Sequence, residues 1–298
     1  MEHAALPLRH VLLAIAVVAV WGSNFVVIRV GLDHLPPLLF AALRFLFACL
    51  PGIFLVARPR VSWRSLAGYG LLIGSGQFGL LFVAMRSEIT PGLASLVIQM
   101  QVFFTIGLAV ALNGERVRLY QGAALALGAA GIGVIAAHVD AVTTPLGLAL
   151  VLTAALSWAG GNIVAKRSGV TDMLPFVIWA SLFSAPPLFA LSFALEGWGA
   201  MSAGLAQADA ATWAAVAWQT VGNTLFGYSA WGFLLSRHPA ATITPMALLV
   251  PVFGMAASFL WLGEPLPLWK LGAALLVMAG LAVGLLTPAW QRRAAAHR

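Results

Sequence analysis

Ten apolar runs follow one another along the chain, at roughly residues 9–30, 36–57, 66–86, 90–113, 118–138, 144–167, 173–195, 211–235, 239–262 and 267–287. Each is close to the ~20 residues that an α-helix needs to cross a ~30 Å hydrocarbon core. The runs lack the in-out alternation of barrel strands, and lipid offers no partner for free N–H and C=O groups, so they predict transmembrane α-helices. Polar residues gather between the runs. The first run follows Arg9, yet it is longer than a signal-peptide core and no small-x-small cleavage pattern precedes Trp21, so it reads as a retained helix.

Composition agrees with the pattern. With 61% hydrophobic and 8% charged residues, the chain has too little polar surface to cover a water-soluble globule. The fold class is therefore all-α integral membrane, with ten transmembrane helices. The single cysteine, Cys49, lies inside the second run, so there is no disulfide framework.

The net charge of +7 is arranged by topology rather than as a nucleic-acid patch. Of sixteen Lys and Arg residues, twelve fall on one side of the alternating runs: Arg9, Arg58, Arg60, Arg64, Arg116, Arg118, Lys166, Arg167, Arg237, Arg292, Arg293 and Arg298. The other side receives Arg29, Arg86 and Lys270. Positive residues stay cytoplasmic, which predicts a multi-pass protein of a bacterial-type inner membrane with both termini inside. Anionic lipid accounts for the basic tail at 288–298, and no nucleic-acid partner is expected.

The two halves look duplicated. Asn24, Arg29 and Pro37 recur as Asn162, Arg167 and Pro175, each 138 positions later, and Trp21 has a counterpart in Trp158. Near the other end of each half, Gly114 and Glu115 precede Leu119, Tyr120 and Gly122, as Gly263 and Glu264 precede Leu268, Trp269 and Gly272. This divides the chain into five-helix repeats at 9–138 and 144–287. Five is odd, so the second copy enters the membrane from the opposite side. Inverted repeats supply two near-equivalent packings, one open to each water phase, and place a solute site near the midplane.

The run Trp21–Phe25, the residues Phe40, Leu43, Arg44 and Phe45, the Gly114–Glu115 turn, and Thr244, Pro245, Pro251, Val252, Phe253, Gly263 and Glu264 stand together in register. In these residues the chain resembles the EamA-type members of the drug/metabolite transporter superfamily, over essentially residues 9–287. Within that superfamily it is most similar to the YddG-type amino-acid exporters. The resemblance implies a ten-helix inverted-repeat carrier and outward movement of aromatic and other neutral amino acids.

An amino acid crossing such a bundle needs partners for its ammonium and carboxylate and an apolar wall for its side chain. The polar interior residues are Asn24, Gln77, Gln99, Gln101, Asn162, Gln219 and Asn223, the last two four apart on one helix. Trp158, Trp179 and Tyr228 offer aromatic walls within spans. The same amides also serve as ties between helices, and the same rings as packing, so both roles stay open at each position. Arg44, a cation within a span, must face the bundle or water, either attracting a carboxylate and gating the mouth or pairing with helix-end carbonyls, Asp33 or Glu88. Pro91, Pro245 and Pro251 are candidate hinges in the fourth and ninth helices.

All nine acids and all six histidines fall at helix ends or in loops. A proton relay through a membrane-buried carboxylate is therefore not expected, and facilitated export down a gradient fits. No HExxH or GxSxG arrangement is present, which argues against an enzyme and against a metal. No cofactor is called for. A carrier of drugs, cations or other small metabolites remains the alternative reading, and monomer and homodimer are both open.

Overall fold

The computed structural model describes residues 6–113 and 118–296. Gly114, Glu115 and Arg116, which carry the first-half turn, lie outside the described residues, as does Arg298. Among the described residues the chain is helical throughout, without strands. The helices are α1 Leu8–Gly31, α2 Pro37–Leu55, α3 Trp63–Ser87, α4 Pro91–Leu112, α5 Leu119–Ala136, α6 Pro145–Ser168, α7 Met173–Gln207, α8 at 210–237, α9 Thr244–Leu262 and α10 Leu268–Ala296. Nine of them are long and apolar enough to cross a membrane among the described residues. The other is α8, whose apolar character is diluted by Gln219, Thr220, Asn223 and Thr224.

Helix starts follow ordinary capping chemistry. Pro37, Pro91 and Pro145 stand in first turns, where the missing N–H costs nothing. Ser62, Thr144, Asp172 and Asp209 accept from backbone N–H groups of the turns they precede. The N–H and hydroxyl of Thr212 hold the Asp209 carboxyl below its ordinary range.

Polar contacts pin the two ends of the bundle. At one end, which bears both termini, His10 Nδ1 lies 2.7 Å from His238 Nε2, and the Trp179 indole donates to the Val56 carbonyl. At the far end, Thr144 N donates to Glu88 O, and Gly92 N and Lys270 Nζ donate to the Glu264 carboxylate. There too Glu196 accepts from Leu38 N and Leu39 N, capping α2. Residues near 88 and 238 thus lie at opposite ends, as an antiparallel arrangement requires.

The helices interleave between halves. α1 packs on α8 and α9 of the second half, while α6 packs on α3 and α4 of the first. The pairs α2 with α7 and α5 with α10 complete the exchange. α1 and α9 cross closely: a Cβ on Gly22 would stand 2.5 Å from the Val250 carbonyl oxygen. At the same level a Cβ on Gly254 would strike Ser95 Oγ of α4 at 2.4 Å. Gly197, with φ +83°, turns the end of α7 away from its axis, a conformation that a side chain would strain.

Four helices are irregular at mid-depth, in matching places. α3 and α8, the third of each half, each contain a nine-residue π-helical stretch, Leu71–Gly79 and Trp218–Phe226. α4 is interrupted at Ile98–Gln99, and α9 begins as a 3₁₀ helix over Thr244–Leu248. Pro245 lies in that 3₁₀ stretch and Pro251 in the turn after it. Pro91 does not act as an internal hinge. It occupies the first turn of α4, where no carbonyl is freed to bend the helix, and the break at Ile98–Gln99 contains no proline.

Because α1 and α9 meet through bare backbone, Gly22→Ala must push them apart. A melting curve of the detergent-solubilised protein is expected to fall by the equivalent of about 1–3 kcal/mol. Gly107→Ala, with open space around its Cβ, is expected to melt as the wild type does.

Candidate functional site

The two π-helical stretches need outside partners, because widening a helix turn leaves carbonyls without their usual donors. On α3, Ser157 and Ser184 hydroxyls donate to Leu72 O and Gly70 O, both at 2.8 Å. On α8, Thr224 Oγ1 donates to Gln219 O at 2.9 Å and the Trp21 indole to Asn223 O at 3.2 Å. The backbone irregularity is thus answered by α1, α6 and α7, the helices that flank α3 and α8.

Between the middle and the far end, polar side chains close on one another. Gln219 Nε2 donates to Asn24 Oδ1 at 2.7 Å, and both residues are buried. Arg44 reaches between α3 and α8, donates from Nη2 to Thr224 Oγ1 at 3.3 Å and lies 3.6 Å over the Phe78 ring. Neither acid considered from the sequence pairs with it: Asp33 takes Arg29 at 2.7 Å, and Glu88 takes the Thr144 hydroxyl. Nor do helix-end carbonyls. Trp21 leans on Tyr228 and Trp231, with ring centres 6.0 and 5.3 Å apart.

Between the middle and the terminus-bearing end the packing of α4, α5, α6 and α10 leaves an open cavity. A cavity of about 350 Å³ is lined by Gln101, Thr105, Tyr120, Gln121 and Asn162, together with Val102, Ile106, Gly284 and Leu285. Asn162 Nδ2 donates to Gln101 Oε1 at 2.8 Å and approaches Thr105 Oγ1 at 3.4 Å. That leaves Asn162 Oδ1 as an acceptor and Gln101 Nε2 as a donor without partners among the described residues. One acceptor and one donor side by side suit a solute carrying both an ammonium and a carboxylate.

The remaining candidates divide. Gln77, in the α3 π stretch, and Gln99, at the α4 break, are buried with side-chain amides unpartnered among the described residues. Trp158 is half-buried against the core beside Ser157. Asn223 is buried, and its backbone carbonyl, rather than its amide, receives Trp21. Trp179 stands apart from this set: its N–H is taken by Val56 O and its ring lies 6.2 Å from Trp63. Sequence reasoning missed Thr105, Thr220, Thr224, Tyr69 and Tyr120. For the threonines the signal was present as hydroxyls four residues from a marked amide or from each other, Thr105 from Gln101 and Thr224 from Thr220, whereas Tyr69 and Tyr120 carried no such spacing.

An interleaved ten-helix membrane bundle with mid-depth helix breaks, an open cavity carrying paired amides toward one end and a polar closure toward the other has the architecture of a carrier. The family model described as the EamA-like transporter family matches residues 8–137 and 145–286, and the chain belongs to that family. A "Probable amino-acid metabolite efflux pump" of Salmonella typhimurium is 43% identical over 275 residues, 90% of this chain and 92% of that protein. A protein of Escherichia coli K12 with the same name is 41% identical, over 94% and 96% of the two chains. A "Probable terminal-alkyne amino-acid exporter" of Streptantibioticus cattleyicolor is 29% identical over 87% of each. One solved structure, titled only "Crystal structure of protein", superposes with a TM-score of 0.61 at 20% identity, over 93% of this chain and 96% of its own, and so shares the fold. The chain is thus a multi-pass membrane transporter and not an enzyme.

The geometry is checked by thiol labelling in a Cys49→Ala background. Thr105→Cys and Tyr120→Cys are expected to react with a water-soluble maleimide applied from the side bearing the termini. Asn24→Cys and Gln219→Cys are expected to stay unreactive until the protein changes conformation. Equal reactivity at all four positions would contradict a bundle open at one end.

Proposed function

We propose that the chain exports amino acids and related small metabolites from the cytoplasm by alternating access across a bacterial-type inner membrane, with both termini cytoplasmic. The single observation that carries this reading is the asymmetry of an otherwise symmetric bundle. Toward the far end, α1, α4 and α9 meet through Gly22, Ser95 and Gly254, and Asn24 is tied to Gln219. Toward the terminus-bearing end, the chamber around Gln101 and Asn162 stands open among α4, α5, α6 and α10. On this reading the described conformation faces the cytoplasm. The names of the two relatives above 40% identity support an amino-acid metabolite as cargo.

The cycle follows from the inverted repeats at 9–138 and 144–287. A zwitterion enters the chamber, where Gln101 and Asn162 meet its charged groups and Val102, Ile106, Tyr120 and Leu285 supply wall. Closing the inner end draws α6 tightly against α4, the counterpart of the α1–α9 crossing, while Gly22 and Gly254 part. The π turns of α3 and α8 and the breaks of α4 and α9 absorb the bend, because weak or exchanged hydrogen bonds there cost little to rearrange. The basic tail at 288–298 rests on anionic lipid.

Coupling to protons through a buried carboxylate has no support. Glu264 is committed to Lys270 at 2.9 Å and to the start of α4, and Glu196 to the start of α2. A tenfold outward gradient already supplies about 1.4 kcal/mol. Neutral amides and aromatic faces discriminate weakly, which favours a broad set of neutral and aromatic amino acids.

Counterflow into liposomes loaded with an unlabelled amino-acid panel tests this. Labelled neutral amino acids are expected to accumulate, and to do so equally with and without a pH gradient. Asn162→Ala is expected to raise KM about tenfold at unchanged folded yield. Uptake confined to cationic dyes would reassign the chain to drug export.

A further inference from the structure

Arg44 is among the largest fully buried side chains of the protein, at 1% exposure. A guanidinium has five N–H donors and cannot lose its charge within a protein. Here one nitrogen meets Thr224, while Nε and Nη1 have no acceptor at all. No carboxylate pairs with it among the described residues. The Phe78 face at 3.6 Å and the Phe45 ring at 5.1 Å soften the charge without accepting a hydrogen bond. A cation left so far short of partners at mid-membrane depth is costly.

The fold does not require that cation. At the offset that relates the two halves, Arg44 of α2 falls on Leu182 of α7. The second half makes the same helix with an apolar residue. Arg44 also lies where the two irregular helices meet: Phe78 comes from the α3 π stretch, and Thr220 and Thr224 from that of α8. Tyr69 and Tyr228 lie within electrostatic reach of it and of one another, on the side toward the terminus-bearing end. Parting those two hydroxyls would let a solute reach the guanidinium from the chamber.

We propose that Arg44 is the anchor for the α-carboxylate of the cargo, so that the protein selects carboxylate-bearing solutes over their amides and decarboxylated amines. The inference rests on amino-acid export as the activity. An incoming carboxylate supplies the acceptors that the protein withholds, and release follows when the π turns close Phe78 and Thr224 back on the guanidinium. The anchor would thus be occupied only during transit.

Counterflow of a labelled neutral amino acid, competed with the same amino acid, its amide and its decarboxylated amine, tests the assignment. In the wild type the acid is expected to compete at least tenfold better than either analogue. Arg44→Leu, which copies the second half, and Arg44→Gln are expected to lose most uptake and to bring the three competitors within about twofold. A folded neutral variant that keeps the wild-type preference overturns the assignment, as does a wild type indifferent to the carboxylate. If neither variant folds, the thermal shift of the wild type decides: the acid raises the melting temperature and the amide does not, and equal shifts overturn the assignment. Absence of any amino-acid counterflow in the wild type strikes the export reading instead.

Discussion

The constraint on which the rest depends is that lipid accepts no hydrogen bonds. A helix in the membrane is free to widen or break only where a neighbouring helix supplies the missing partner. Here the widened turns of α3 and α8 are bought with hydroxyls and an indole: Ser157, Ser184, Thr224 and Trp21. These four side chains come from α6, α7, α8 and α1, so the irregular helices are tied to those that must move against them. A bend in one helix cannot occur without exchanging a bond with its neighbour. That coupling gives discrete arrangements rather than a continuous drift, as a carrier needs if both ends are never to be open together.

The order of elements was legible in the sequence because lipid imposes length and hydropathy on every spanning helix. The ten apolar runs correspond to α1 to α10, although α7 and α10 continue to Gln207 and Ala296, well past the runs that mark them, and the recurrence of Asn24, Arg29 and Pro37 at Asn162, Arg167 and Pro175 exposed the duplication. Mid-depth geometry was less legible. A π turn has no composition of its own: Leu71–Gly79 is as apolar as a straight helix, and the amides and threonines of Trp218–Phe226 mark a polar interior rather than a widened turn. Pro91 looked like a hinge because it lies in an apolar run, yet a proline in a first turn frees nothing. Conversely, the break at Ile98–Gln99 contains no proline or glycine to mark it, and the segments on either side pack on α9 and α6 of the second half.

Interior amides show the same division. Asn24 and Asn162 occupy equivalent positions, and symmetry alone would give them one role. Asn24 is buried on Gln219 toward the far end, whereas Asn162 looks into the cavity with Gln101. The residue type is shared and the environment is not. On the alternating-access reading proposed above, the two positions are the same structural element in closed and open surroundings, and they would exchange surroundings when the bundle reverses. An amide suits this double duty, because it is satisfied by another amide when occluded and by solute or water when exposed.

Charge cannot serve in that way. A carboxylate alternating between water and a dry closure would pay its desolvation each cycle or titrate to avoid it. The described acids accordingly stay at the ends, Glu264 with Lys270, Glu196 on the start of α2, and Glu88 with Thr144. Arg44 is the exception, and on the proposal that it anchors the cargo its surroundings rather than its own position change. Phe78 and Thr224 cover it in the described conformation, and a solute carboxylate would replace part of that cover in transit. A fixed cation flanked by movable neutral groups attracts an anion without binding it permanently, because closing the cover restores the aromatic and hydroxyl contacts as the anion departs. Turnover then depends on how nearly Phe78 and Thr224 match the carboxylate in free energy. A perfect protein counter-ion at that position would abolish transport by holding Arg44 too well.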